Sequence, residues 1–405
     1  MSTILLQIDE RRRPPQPAAP QGWALWALGF RPFYLAASLF AALSVPLWAL
    51  QFAGLLDHAW LRGPLWHAHE MVFGFALAVI VGFLLTAGQN WAGQPTPKGP
   101  ALAALLLLWL AARVLALTPW GWAALLANVA FAWLAAFGLA RALVRAGNRR
   151  NYFFVGLLVL MGAASAAVHL VQLGVLPSGA GIDGMATRLG LDIVLFVMAV
   201  MAGRVVPMFT NNGVPGTQAR RDERLEKLAL GAVLALIVAD ALALQGPWLA
   251  ALLLLAGGAH LARQWLWQPW RTRHNPLVWI LHAAYAWLPL HLLLRAAAEI
   301  GWLALPSLAT HALTAGAIGA LTLGMMTRTA RGHTGRPLRA DRWDIAMYIT
   351  VLLAGLVRVA VPLLMPAWLL AAVGASAVLW SVAFALYAWH YGPWLLRPRT
   401  DGKPG

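Results

Sequence analysis

The chain has 405 residues, 61% of them hydrophobic and only 11% charged, with 30 Lys and Arg against 14 Asp and Glu. Soluble domains carry charge on about a quarter of their residues, so these proportions exclude an ordinary soluble fold and predict an all-α polytopic membrane protein. Zero cysteines exclude disulfides, thiolate-held iron–sulfur or copper centres, covalently attached haem and thiol nucleophiles.

In chain order, residues 1–32 form a basic, Pro-rich lead. Its Pro and Gln content and the lack of an apolar core before a cleavage site predict a disordered cytosolic segment rather than a secretory signal. A bilayer core about 30 Å thick takes about 20 apolar residues per helix, and twelve such runs occupy residues 33–391. The first six are Phe33 to Leu55, Trp66 to Gly88, Ala101 to Leu117, Trp122 to Leu143, Tyr152 to Gly174 and Leu189 to Phe209. The second six are Leu228 to Leu244, Trp248 to Leu266, Leu277 to Ala298, Leu308 to Thr327, Ile345 to Pro362 and Pro366 to Tyr391. Short Pro-marked junctions, as at Thr118-Pro119-Trp120 and Gln245-Gly246-Pro247, are the places where two spans would merge. Residues 392–405 form a short cytosolic tail.

Loop charge sets the orientation. Twenty-four Lys and Arg fall in the two tails and the loops on the same side as them, only Arg62 and Arg188 fall on the opposite side, and four lie inside spans. Cytoplasmic loops carry the Lys and Arg excess, so both termini are predicted to be cytoplasmic. Topology thereby accounts for the basic composition without a nucleic acid partner. No P-loop and no dinucleotide fingerprint is present, which argues against nucleotide-driven chemistry.

Ionisable groups inside a bilayer are expensive unless paired, hydrated or coordinating, so their depths matter. His67, His69 and Glu70 open the second span at the outer face, with Arg113 at the outer end of the third. His169 and His311 lie at matching depths in spans five and ten, and span nine adds His291, Arg295 and Glu299. Arg188 and Asp192 begin span six and Arg358 lies past the middle of span eleven. Bis-His haem b needs two imidazoles at one depth on facing helices, with arginines for its propionates, and copper accepts imidazole as well. His67 and His69 are an i, i+2 pair, which a regular helix turns about 200° apart and an extended first turn points the same way. Equally, these groups can be interfacial or helix-linking: His169 or His311 to Ser165 or Thr314 is one such link. A thinner inner set comprises Arg204, His260, His282 and Tyr285, with His333 at the inner boundary.

Several ordered blocks resemble the NnrS family, bacterial inner-membrane proteins associated with nitric oxide metabolism. They include Leu28-Gly29-Phe30-Arg31-Pro32-Phe33, Trp66-His67-Ala68-His69-Glu70-Met71, Gly82-Phe83-Leu84-Leu85-Thr86-Ala87 and Gly203-Arg204-Val205-Val206-Pro207. His282 with Tyr285-Ala286-Trp287, His311-Ala312-Leu313-Thr314, Met325-Met326-Thr327-Arg328 and Gly332-His333-Thr334-Gly335-Arg336 complete the pattern. The resemblance implies non-covalent haem b, copper, and nitric oxide or nitrosyl-iron species as the partner, in the bacterial inner membrane with an electron donor of unknown kind. Restricting the depth argument to these motifs makes His67, His69, His169 and His311 the expected metal ligands, with His282, His260 and His333 as secondary candidates. Arg113, Arg358 and Arg295 are the expected propionate or charge partners, and Glu70, Asp192, Arg204 and Tyr285 the polar support.

The leading expectation is a haem/copper protein that binds or processes nitric oxide and lowers nitrosative stress. A secondary transporter for a metal, haem or an anion is the rival, although most ionisable groups sit in the outer leaflet rather than at the midplane where alternating access places a site. A cofactor-free structural or assembly protein is the third reading.

Overall fold

A computed structural model describes residues 22–57 and 63–403, so most of the basic lead lies outside the described residues. Among these the regular structure is helical, with no strand. The helices are α1 (Phe30–Phe52), α2 (Gly63–Ala92), α3 (Pro100–Leu115), α4 (Gly121–Arg145), α5 (Tyr152–Gln172) and α6 (Ile182–Gly213). They continue as α7 (Glu223–Ala241), α8 (Pro247–Leu266), α9 (Pro276–Glu299), α10 (Ser307–His333), α11 (Arg342–Leu364) and α12 (Leu369–Leu396). Ten of these runs are long and apolar enough to cross a bilayer, which makes the chain a multi-pass membrane protein. The other two, α3 and α7, lie where spans are expected; α3 is apolar but 16 residues long, and α7 opens with Glu223, Arg224, Glu226 and Lys227.

The Pro-marked junctions remain breaks, and the helices outrun the apolar stretches. α6 begins at Ile182 rather than Leu189, α10 continues from Thr327 to His333, and α12 continues from Tyr391 to Leu396. Backbone hydrogen bonding does not stop where hydrocarbon does; it stops at a cap. α7 starts at Glu223 rather than Leu228 because the Asp222 carboxylate accepts the Leu225 N–H at 2.8 Å. α11 starts at a reciprocal capping box in which Asp341 accepts from Asp344 N–H at 3.2 Å and Asp344 accepts from Asp341 N–H at 2.9 Å.

Sequential neighbours pack closely through the chain, and α1 closes against α12. Ala24 N–H donates to the Leu396 carbonyl at 2.9 Å, and the Arg31 guanidinium donates to the carbonyls of Leu395 and Arg397 at 2.9 and 2.8 Å. A cation there offsets the negative end of the α12 dipole. Exposed tryptophans gather at both ends of the bundle, with Trp120, Trp122, Trp248, Trp302 and Trp368 at one and Trp265, Trp270 and Trp389 at the other, as aromatic girdles do. In the middle, 78% of the apolar window of α2, 78% of that of α6 and 72% of that of α10 is buried inside the protein. These three form the central seam.

Close approach at the centre depends on small residues. Gly355 of α11 lies against the Gly316 backbone of α10, where an added Cβ would sit 3.0 Å from the Gly316 Cα. Replacing Gly355 with Val is expected to destabilise by about 1–3 kcal/mol, the usual penalty of overpacking, read as a lower thermal midpoint in detergent. An unchanged midpoint would mean that this contact is loose.

Candidate metal and ligand site

Two helices of the seam share an unusual start. α2 runs as α-helix over Gly63–His69 and then as π-helix over Glu70–Ala76; α10 does the same over Ser307–His311 and Ala312–Ile318. A π turn inserts one extra residue and re-aims side chains, and such turns concentrate at functional sites. Here the two π segments face one cavity of about 60 Å³, lined by Val72 and Phe75 of α2 and by Thr314 and Ile318 of α10.

That cavity also receives His67, His311 and Arg358. The His67 ring stacks on Trp48 with centroids 4.0 Å apart and planes 17° apart, and its buried Nδ1 has no hydrogen-bond partner among the described residues. His311 Nδ1 donates to the Ser307 carbonyl at 2.7 Å. Because a carbonyl only accepts, this bond puts the proton on Nδ1 and leaves the Nε2 lone pair of a neutral ring for a ligand, as in metal-bound histidines. Arg358 Nη1 is buried and has no partner among the described residues. The cavity is therefore apolar-walled, with two imidazoles and a guanidinium whose polar atoms are incompletely satisfied.

His69 and His169 belong to a different cluster. Residues 63–69 keep regular helical turns, so His67 and His69 diverge and the extended-turn option does not apply. His69 Nδ1 donates to Glu70 Oε1 at 2.9 Å, and Ser165 Oγ bonds His69 Nε2 at 3.0 Å. Arg113 Nη1 donates to Glu70 Oε2 at 2.8 Å and Nη2 donates to Asn128 Oδ1. That orients the Asn128 amide so that Nδ2 donates to His169 Nε2 at 3.1 Å. The His69 and His169 rings meet edge to face at 4.8 Å. Both rings thus have their lone pairs occupied by protein donors. Gly74 in the π segment makes the cluster possible, since a Cβ there would collide with the Arg113 guanidinium. Ser165 accordingly pairs with His69 rather than His169, and His311 pairs with the Ser307 carbonyl rather than Thr314.

The remaining candidates are dispersed. Arg295 is paired with Asp240 and lies 4.0 Å from Asp192, with Arg188 3.5 Å from Asp240; His291 Nδ1 donates to the Ala309 carbonyl at 2.7 Å. Of the three expected charge partners, Arg113 and Arg295 are thus committed to carboxylates and Arg358 alone lines the His67–His311 cavity. Tyr285 OH and His260 Nδ1 share a 2.5 Å hydrogen bond beside Arg263, whereas His282 Nε2 bonds Thr210 Oγ1 at 2.8 Å. His333 packs on Phe30 with centroids 5.5 Å apart. Arg204 donates to Asn151 at 2.8 Å among Trp91, Phe153 and Phe154.

Four residues of these networks escaped the sequence reading. Arg263 belongs by position to the Lys and Arg of the loops, yet it is 1% exposed and bonds Glu226, a residue the Lys and Arg count leaves aside, at 2.9 and 3.1 Å. Asn128 and Asp240 lie inside apolar runs, and their polarity at those positions was the available signal. Among the described residues no group of three or more His, Asp or Glu side chains is placed to hold a metal ion. Two imidazoles alone leave a bare ion under-coordinated. Beside them Arg358 offers a cation able to pair with a carboxylate.

Removing one partner of a buried ion pair strands the other and typically costs about 3–5 kcal/mol. Arg113→Ala is expected to lower the thermal midpoint sharply, and a double Arg113→Ala, Glu70→Gln change to recover part of it; equal losses in both would show that the pair is not the hub. A family model described as NnrS protein matches residues 24–399. No curated protein matches the chain. With nearly its whole length matched, this chain belongs to the NnrS family.

Proposed function

We propose that this protein is a haem- and copper-binding inner-membrane protein that binds or processes nitric oxide, or nitrosyl-iron species, and so lowers nitrosative stress. The observation that carries the reading is the cavity where His67 and His311 present unengaged ring nitrogens beside the unpartnered Nη1 of Arg358. His67 and His311 would hold haem b, and Arg358 would neutralise a propionate. When bound, the haem supplies an iron that takes nitric oxide as a ligand. The chain's own contribution is to orient His311 through Ser307, to stack His67 on Trp48 and to keep water out with apolar walls. Copper suits the same imidazole donor type, whereas recruiting His69 or His169 requires breaking their hydrogen bonds. Read with twelve spans and both termini cytoplasmic, the cavity would lie in the outer leaflet, within reach of a gas dissolved in lipid.

The purified protein is expected to show a haem b absorption spectrum that shifts when nitric oxide is added to the reduced form, with copper found by metal analysis. His67→Ala or His311→Ala should remove the low-spin features while leaving expression intact. Loss of the same features on changing His69 or His169 alone would move the site to the Glu70 cluster, and a colourless, metal-free protein would overturn the reading.

The cysteine-free chain makes the topology directly testable. A single Ser178→Cys is expected to react with a membrane-impermeant maleimide in spheroplasts, and Arg339→Cys only after permeabilisation. The reverse pattern would invert the orientation.

A further inference from the structure

A second cavity lies along the same seam. Its volume is about 80 Å³, and its lining includes Val79 and Phe83 of α2, Val197 and Met201 of α6, and Leu321 and Met325 of α10. The same three helices line the His67–His311 cavity through Ala76, Val194 and Ile318. On each helix the two sets are three residues apart, from Ala76 to Val79, Val194 to Val197 and Ile318 to Leu321, or roughly 4.5 Å at a rise of 1.5 Å per residue. The cavities are stacked, with less than one helical turn between their linings.

The lining offers water few polar partners. Among the described residues its only side-chain hydroxyls are those of Tyr34 and Thr322. Thr322 Oγ1 donates to the carbonyls of Ile318 at 2.7 Å and Gly319 at 3.1 Å, and Tyr34 is 1% exposed. A buried water needs two to four polar partners, and apolar cavities without them stay dry and take up xenon or small apolar molecules. Met198, Met201 and Met325 add polarisable thioethers to the wall. Ile80, Phe83, Val205 and Met325 are only half-buried, so the cavity opens sideways between helices toward the bilayer, where an uncharged gas accumulates.

We propose that this cavity is a binding site for a small uncharged gas molecule, and that the α2–α6–α10 seam passes the gas between the hydrocarbon and the His67–His311 cavity. The delivery role rests on the function proposed above; the binding site itself does not.

Crystals of the protein under xenon pressure test the site without any haem. Anomalous density for xenon among Val79, Met201 and Met325 is expected, and Ala202→Phe, which fills the space, should lose that peak while remaining monodisperse. Absence of xenon in the unmodified protein, or an acyl chain occupying the cavity, would overturn the proposal whether or not the variant folds. In haem-loaded protein, rebinding of nitric oxide after flash photolysis should slow severalfold in Ala202→Phe, with the ground-state spectrum unchanged. Unaltered rebinding with the cavity filled would remove the delivery role. A missing haem spectrum, by contrast, defeats the function while leaving the xenon result standing.

Discussion

Hydrocarbon offers no hydrogen-bond partner, and this constraint organises the whole molecule. Any polar group carried into the bilayer must find its partner within the protein or lose several kcal/mol. The chain largely meets the requirement with ion-paired clusters at successive places along the bundle. Glu70 joins His69 and Arg113, Asp240 joins Arg295 and Arg188, and Glu226 joins Arg263. Each ties helices that an apolar contact would leave free to slide, because in lipid there is no hydrophobic force between apolar helix faces.

Against that background, incomplete satisfaction is informative. His67 Nδ1 and Arg358 Nη1 are buried without partners in one cavity, beside a His311 whose free nitrogen follows from the Ser307 bond. Leaving such groups unpaired in an apolar setting is costly, and a ligand with nitrogen-binding and anionic parts removes the penalty. The neighbouring Glu70 cluster shows the opposite condition: similar residue types at similar depth, each engaged by another side chain.

The π segments connect these two halves of the site. The turns at Glu70–Ala76 and Ala312–Ile318 expose Gly74 to the Arg113 guanidinium and Gly316 to the Trp287 ring and to Gly355. Local backbone irregularity at these places converts glycines into contact points and turns the following residues toward the seam. The same seam, continued by less than one turn, carries the apolar cavity. The two cavities thus share α2, α6 and α10, while α1, α11 and α12 complete the wall around His67 and His311.

Composition alone determined that the chain is helical and lives in a membrane, since 11% charge and long apolar runs admit no other packing environment. Motif order along the chain identified the family, and apolar run length located the helices, with ends misplaced wherever a cap such as Asp222 or Asp341 extended them. Depth arithmetic picked out His67, His69, His169 and His311 but treated them as one layer. Only the tertiary structure separated them into two pairs, because which face a histidine presents depends on the local helix type, and which neighbour it meets depends on helix order. Neither is written in spacing along a single chain. The same limit hid Arg263, whose position near a helix end reads as loop charge until α7 brings Glu226 against it. Long-range pairing is a property of the packed helices, and it decides which polar residues are structural and which remain free to bind.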